Sequence, residues 1–182
     1  MADGVTAGGT KAVAADEPRA EALRWFDQLR DPLRRYLMCA GASGADADDA
    51  VQETFLRLYQ HLQRNGDRSN LYGWIYQVAR NYLRDERKSA RQQRTVQLDT
   101  EMIRERGPAD PEGTPEHRAL DRERARRLRS AIDKLPEQQR ECMLLRSSGL
   151  PYREIARVLG IHISSVGSLV HRAVARLSED LA

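Results

Sequence analysis

At 182 residues, with 5% aromatic and 31% charged side chains, the chain can hold one medium domain or two small helical ones, and the composition favours the second. The net charge of +3 and the pI of about 9.1 leave a basic excess; no run is apolar enough to span a membrane or to form a secretion signal. Cys39 and Cys142 stand far apart in apolar surroundings, which reads as two reduced core thiols in a cytoplasmic protein and excludes a disulfide scaffold.

Residues 1–16 are mostly Ala, Gly and Thr, too little apolar surface to offset ordering entropy, so a mobile tail is expected there. A helical pattern begins at Pro18 and carries Leu23, Phe26, Leu29, Leu33 and Leu37, with an interruption expected at Asp31-Pro32. The stretch Gly41 to Gly44 breaks it. Asp46, Asp48 and Asp49 then precede the apolar series Val51, Phe55, Leu58 and Leu62. Three aspartates could hold a metal, but carboxylates in the first turn of a helix are explained more simply by the helix dipole and by capping. Gln52, Glu53 and Arg57 fall on the outward face, and Asn65-Gly66-Asp67 is a turn that ends this helix.

The next apolar stripe is read as Trp74, Ile75, Val78, Ala79, Tyr82 and Leu83, leaving Tyr76, Gln77, Arg80, Asn81, Arg84, Asp85 and Lys88 outside. Aromatic rings stack on unpaired bases while cations hold phosphates, so a basic face with Tyr72 and Tyr76 suits single-stranded nucleic acid. The plain alternative is a solvated surface. Residues 106–115, RGPADPEGTP, read as a linker, and Leu98, Met102 and Ile103 before them suggest a short docking helix. Leu120, Leu128, Ile132 and Leu135 mark a helix whose other face is arginine; Pro136 opens the next helix, which is capped near Gly149. The resulting boundaries are a tail at 1–16, a helical unit at 17–92, a linker at 93–116 and a second unit at 117–182. The class is all-α, two small helical domains joined by a flexible linker.

The terminal stretch from Tyr152 carries the sharpest pattern. Ile155 and Leu159 lie one turn apart, Gly160 offers a left-handed cap, and Val166, Leu169, Val170 and Val174 resume helical spacing. With the small Ala156 placed opposite Val166, these are the offsets of a helix-turn-helix, whose second helix enters the major groove. A pair of packed helices is the bland alternative. Arginines cluster at Arg122–Arg129 and again from Arg80 to Arg94, as phosphate-attracting surfaces do. His61, His117, His162 and His171 show no metal spacing, and no Gly-rich phosphate loop or nucleophile set occurs, so neither an enzyme, a cofactor nor a metal site is expected.

The segments DADDAVQETFLRLY (Asp46 to Tyr59) and GWIYQVARNYLRDERK (Gly73 to Lys88) resemble the second conserved region of the extracytoplasmic-function (ECF) sigma factors of bacterial RNA polymerase. The segment LPEQQRECMLLRSSGLPYREIARVLGIHISSVGSLVHRA (Leu135 to Ala173) resembles their fourth. The resemblance implies a sigma factor that binds core RNA polymerase and directs promoter recognition, melting and initiation. Its polymerase-binding residues would be Asp48, Asp49, Gln52, Glu53 and Arg57, docked on the clamp helices of the largest subunit. The resemblance implies the flap as a further polymerase contact. Tyr72, Tyr76, Arg80, Asn81, Arg84 and Lys88 would take the minus-ten element as a single strand.

For the duplex minus-thirty-five element, the base readers would be His162, Ser164, Ser165, Ser168 and His171, with Arg153, Arg157, Arg172 and Arg176 on phosphates. Here the chain departs from many relatives: between His162 and His171 it has no cation, and Gly167 costs about 1 kcal/mol relative to alanine in a helix interior. Close approach of backbone to DNA or a partner would justify that cost. Weak or altered upstream specificity is the expectation, since serine and histidine select less sharply than arginine on guanine. An anti-sigma factor is a compatible further partner. The rival from another class is an autonomous helix-turn-helix regulator, which leaves the acidic and the basic-aromatic helices unexplained.

Overall fold

The computed structural model describes the backbone of residues 9–94 and 115–181 and the side chains of residues 17–89 and 123–181. The centre of the expected linker and the docking helix expected around Leu98 to Ile103 lie outside the described residues. Within them the fold is all-α: α1 (Gly9–Cys39), α2 (Gly44–Gln63) and α3 (Leu71–Arg94) form an N-terminal unit. The C-terminal unit comprises α4 (Pro115–Lys134), α5 (Glu137–Ser147), α6 (Tyr152–Leu159) and α7 (Ile163–Leu181).

Helix α1 starts at Gly9, inside the stretch expected to be a tail, and runs unbroken through Pro18 and Pro32. An internal proline costs about 3 kcal/mol, whereas each fully buried leucine contributes about 1.5–3 kcal/mol. Leu29, Leu33 and Leu37, all buried on one face around Pro32, therefore outweigh the lost hydrogen bond. Helix α2 begins with a capping box: the Asp46 amide donates to Ser43 Oγ at 3.1 Å, and the Ser43 amide to Asp46 Oδ2 at 3.4 Å. Its buried face is Ala47, Ala50, Val51, Thr54, Phe55, Leu58 and Leu62. Asn65, at φ 53°, turns the chain after it.

The two units share a core. Leu29, Leu33, Tyr36, Leu58, Ile75 and Tyr76 belong to the same buried cluster as Cys142, Leu145, Leu150, Ile155 and Val166, with α3 packed on α6 and α1 on α5. A smaller cluster of Ala131, Leu135, Ala173 and Leu177 fixes α4 on α7. Leu23, Leu128 and Val174, read as core from periodicity, are exposed instead. Cys39 and Cys142 are free thiols, the second fully buried.

Candidate polymerase and nucleic-acid interfaces

Because α2 buries one stripe against α1 and α3, its opposite side presents Asp49, Gln52, Leu56 and Arg57 to solvent. Leu56 is 57% exposed, an out-of-register apolar side chain that the sequence reading passed over. Of the other residues expected on this face, Glu53 is held by Arg57 at 2.7 Å, a pair one turn apart. Asp48 is gripped by Arg34 of α1, Nε to Oδ1 at 2.6 Å and Nη2 to Oδ2 at 3.3 Å, which gives it a part in fastening α1 to α2.

The loop before α3 is built tightly. The His61 ring stacks on Trp74 with centroids 4.8 Å apart and a 28° interplanar angle, and its Nε2 lies 2.9 Å from the Asp67 carbonyl oxygen. Asp67 in turn accepts from the Ser69 amide at 2.9 Å and the Ser69 hydroxyl at 2.8 Å, bonds that hold its carboxyl below the usual range. Asn70 caps α3 by accepting from the Gly73 amide at 3.1 Å.

Helix α3 is oriented differently from the expectation. Leu71, Ile75, Tyr76, Ala79 and Leu83 are buried, while Trp74, Val78 and Tyr82 are half-buried. Tyr76, expected outside, is fully buried, its ring edge-on to Tyr36 at 5.3 Å and tilted against Tyr72 at 5.4 Å. The cause is cover from both sides: α1 and α2 pack on one flank of α3 and α6 on another, so a single-stripe reading misassigns the second flank. No donor or acceptor meets hydrogen-bond geometry at the Tyr76 hydroxyl, although Ser148 and the Tyr72 hydroxyl lie near enough to bear on its ionisation. Burial raises the pKa of this hydroxyl.

Among the described residues, three polar pairs join the units. Arg80 donates from Nε and Nη2 to both oxygens of Glu141 on α5, at 2.8 and 2.9 Å. Tyr72 donates its hydroxyl to the Ser148 carbonyl at 2.5 Å, and Asn70 donates its amide to Glu154 of α6. Asn81 is half-buried, whereas Arg84 and Lys88 are exposed farther along the helix. Glu141, Glu154 and Asn70 were not singled out from sequence; their partners lie 61 and 84 positions away, beyond any local pattern.

Helices α6 and α7 meet at 101°, within the range of a helix-turn-helix. Gly160 caps α6 at φ 66° and ψ 35°, with the Ile161 amide donating to the Ala156 carbonyl at 3.0 Å, a Schellman closure. Val166, Leu169 and Val170 are buried on one face of α7 and Ala156 lies in the same core, as expected, whereas Ala173 is buried in place of the exposed Val174. On the opposite side His162, Ile163, Ser164, Ser168, His171, Arg172 and Arg176 are exposed, Ser165 half-buried, and Arg153 and Arg157 exposed on α6.

His162 closes the start of α7: its Nδ1 accepts from the Ser164 amide at 3.4 Å and lies 2.7 Å from the Ser164 hydroxyl. An accepting Nδ1 leaves Nε2–H as the outward donor of the neutral ring. The Ser168 hydroxyl donates to the Ser165 carbonyl at 3.0 Å, and Arg172 Nε to the Ser168 carbonyl at 3.1 Å. Gly167 faces Tyr152, so that a Cβ there would sit 3.7 Å from the ring.

Comparison with known proteins places both units. The family model for Sigma-70 region 2 matches residues 25–93, and that for Sigma-70 region 4 matches residues 125–177. The chain is 36% identical over 172 residues to the ECF RNA polymerase sigma factor SigL of Mycobacterium tuberculosis, covering 91% of this chain and 90% of the relative. It is 31% identical over 160 residues to the ECF RNA polymerase sigma factor EcfG of Rhodopseudomonas palustris, covering 84% of each. Among solved structures, the sigma factor RpoE from Bartonella quintana, in complex with the anti-sigma factor NepR, superposes with a TM-score of 0.68 at 25% identity over 91% of this chain and 97% of that one. The fold of CnrH, solved with the cytosolic domain of CnrY, is similar, with a TM-score of 0.64, 24% identity and 92% coverage of both chains.

The chain belongs to the ECF RNA polymerase sigma factors. It is a sigma factor directing transcription initiation, and the autonomous-regulator reading is not favoured.

Proposed function

We propose that the two units divide promoter recognition between them, α3 and the loop before it taking the melted minus-ten strand and α7 reading the duplex minus-thirty-five element. The carrying observation is the helix-turn-helix itself: α7 buries Val166, Leu169, Val170 and Ala173 and leaves His162, Ser164, Ser168, His171 and Arg172 exposed. A side of α7 with two imidazole rings, two serine hydroxyls and flanking arginines suits base edges bordered by phosphates. Arg153, Arg157 and Arg176 extend the phosphate contacts, and Ser165 contributes from the half-buried edge.

On α3, Tyr72 supplies a ring and Arg80, Arg84 and Lys88 the cations; Asn81 is a polar reader between them. Tyr76 is assigned to supporting the Tyr72 ring from below, in keeping with its burial. The polymerase face is Asp49, Gln52, Glu53, Leu56 and Arg57 on α2, with Asp48 positioning that helix through Arg34. Core RNA polymerase, through its clamp helices and flap, and promoter DNA are the partners. An anti-sigma factor is a third, in line with the complex in which the Bartonella quintana relative was solved. The protein works in the cytoplasm as a non-enzymatic initiation factor, without a cofactor. Binding energy alone opens the strands, since extruding a base costs a few kcal/mol and stacking returns about 1–3 kcal/mol per base.

Run-off transcription with core polymerase and genomic fragments tests this reading. Defined start sites, lost steeply as salt rises, are expected. Absence of any start site with active core enzyme would refute it.

A further inference from the structure

The first half of α7 offers DNA no cation. Residues 163–170 are uncharged, and the exposed row along them is Ile163, Ser164, Ser168 and, one turn on, His171. Gly167 lies in the middle of that row, three positions from Ser164 and four from Ile163 and His171, which a helix places on one side. A Cβ at Gly167 would stand 3.7 Å from Tyr152 Cε2, so the Tyr152 ring of α6 borders the row at its centre. That ring is 39% exposed and carries the guanidinium of Arg146, whose Cζ sits 5.5 Å from the ring centroid.

We propose that Arg146, carried on the Tyr152 ring, is a phosphate contact of the upstream duplex and supplies from α5 the cation that the first half of α7 lacks. The inference rests on α7 reading that duplex; its own observation is the ring-borne guanidinium beside Gly167.

A guanidinium laid over an aromatic face is attracted to the π-system and keeps its N–H edge free for an anion. One end of Arg146 is tied, Nη1 donating to the Leu150 carbonyl at 3.2 Å, and the side chain is exposed. Bond and ring together hold a long side chain in one place, so less rotamer freedom is lost when it meets a phosphate oxygen. Among the described residues Arg146 has no carboxylate partner, whereas Arg57, Arg80 and Arg157 are paired with Glu53, Glu141 and Glu154.

The same arrangement gives the glycine a use. Glycine inside a helix costs stability relative to alanine, and an alanine methyl would meet Tyr152 at ordinary contact distance, so folding does not call for glycine here. A longer side chain would start from that contact and cover the ring, setting it apart from DNA lying against α7. With glycine, the α7 backbone, the ring and the guanidinium can meet one stretch of phosphodiester.

Core polymerase loaded with the full-length protein is titrated against a duplex promoter fragment active in run-off transcription, and against the same fragment cut between its two elements. Affinities are read by fluorescence anisotropy across a salt series. Each phosphate contact steepens the fall of log affinity with log salt by about 0.9, which at roughly 0.1 M salt is worth about eightfold. Arg146→Gln is therefore expected to bind the whole fragment about eightfold more weakly, with the slope reduced by about 0.9, and to bind the cut fragment as the parent does.

Arg24→Gln, the same charge change at an exposed site on α1, is expected to match the parent on both fragments. Tyr152→Ala is expected to weaken binding only where Arg146 is present, since the ring acts through the guanidinium. An Arg146→Gln slope equal to the parent's, an equal loss on the cut fragment, a loss matched by Arg24→Gln, or a Tyr152→Ala loss that persists without Arg146 would overturn the assignment. A parent holoenzyme that binds the whole fragment no better than the cut one would instead remove the upstream reading beneath it.

Discussion

A methyl group added at Gly66 would fall onto the ring of His61, and this makes the loop before α3 open to a sharp test. The Cβ of Gly66→Ala would sit 2.2 Å from His61 Cε1 and 2.4 Å from each ring nitrogen, so the ring must leave its place. Leaving forfeits the stack on Trp74 at 4.8 Å, worth about 0.5–1.5 kcal/mol for an aromatic pair. It also forfeits the 2.9 Å contact of Nε2 with the Asp67 carbonyl, worth about 0.5–1.5 kcal/mol net. His61 and Trp74 are half-buried and Asp67 is exposed, which favours the lower part of the range, about 1–2 kcal/mol in all. In a chain of this size that is a fall of roughly 2–8 °C in Tm. The assay is a cycle of Gly66→Ala, His61→Ala and the double variant, followed by thermal and urea unfolding. With His61 truncated the clash with the ring is gone, so Gly66→Ala should cost less in that background, giving a coupling of about 1–2 kcal/mol. A cost that is absent, or identical in the two backgrounds, would refute the account of the loop.

Gly167→Ala should act in the opposite direction: its methyl meets the Tyr152 ring at an ordinary 3.7 Å, so the helix-propensity gain of about 1 kcal/mol is unopposed. A urea midpoint at or below the parent's would contradict that. Alkaline pH should destabilise the fold. Burial pushes the Cys142 thiol from 9.0 up to about 11, and burial reinforced by the Glu141 carboxylate raises the Tyr36 phenol. Folded values above unfolded ones mean that this stability is whole below pH 9.0 and declines as pH rises toward 11. Urea midpoints measured across that window should fall steadily, and a flat profile would exclude the effect.

With α7 in the major groove as proposed, Ile163, 48% exposed at the first position of that helix, would meet a thymine methyl. Scanning deoxyuridine through the upstream element should weaken holoenzyme binding at one position by about fourfold, the equivalent of roughly 0.8 kcal/mol for one methyl-sized group. Ile163→Ala should erase that difference; equal sensitivity in both proteins would remove Ile163 from base reading.

What could be read along the chain was whatever depends on neighbours within about one helical turn. The helix-start carboxylates of α2, the left-handed Gly160 cap and the apolar spacing of α2, α6 and α7 depend on neighbours three to five residues apart, so capping chemistry and periodicity report them directly. The helix-turn-helix and the all-α class follow from the same signals. Pro32 was misleading because its local cost is visible in the sequence, while the burial of Leu29, Leu33 and Leu37 that overrides it depends on α2 and α3.

The facing of α3 was decided only in three dimensions. A helix covered on two flanks carries two overlapping apolar stripes, and a single sequence does not say that Tyr76 faces inward while Trp74 stacks at the edge on His61. Nor does it say that Arg80 finds Glu141 or Asn70 finds Glu154, pairs set 61 and 84 positions apart that exist because the two units dock. Local composition determined which helices form and which side chains have the chemistry to suit DNA. Long-range packing determined which of them the free protein has already engaged, because a contact between distant residues is specified by the docked surfaces as a whole and by neither segment alone.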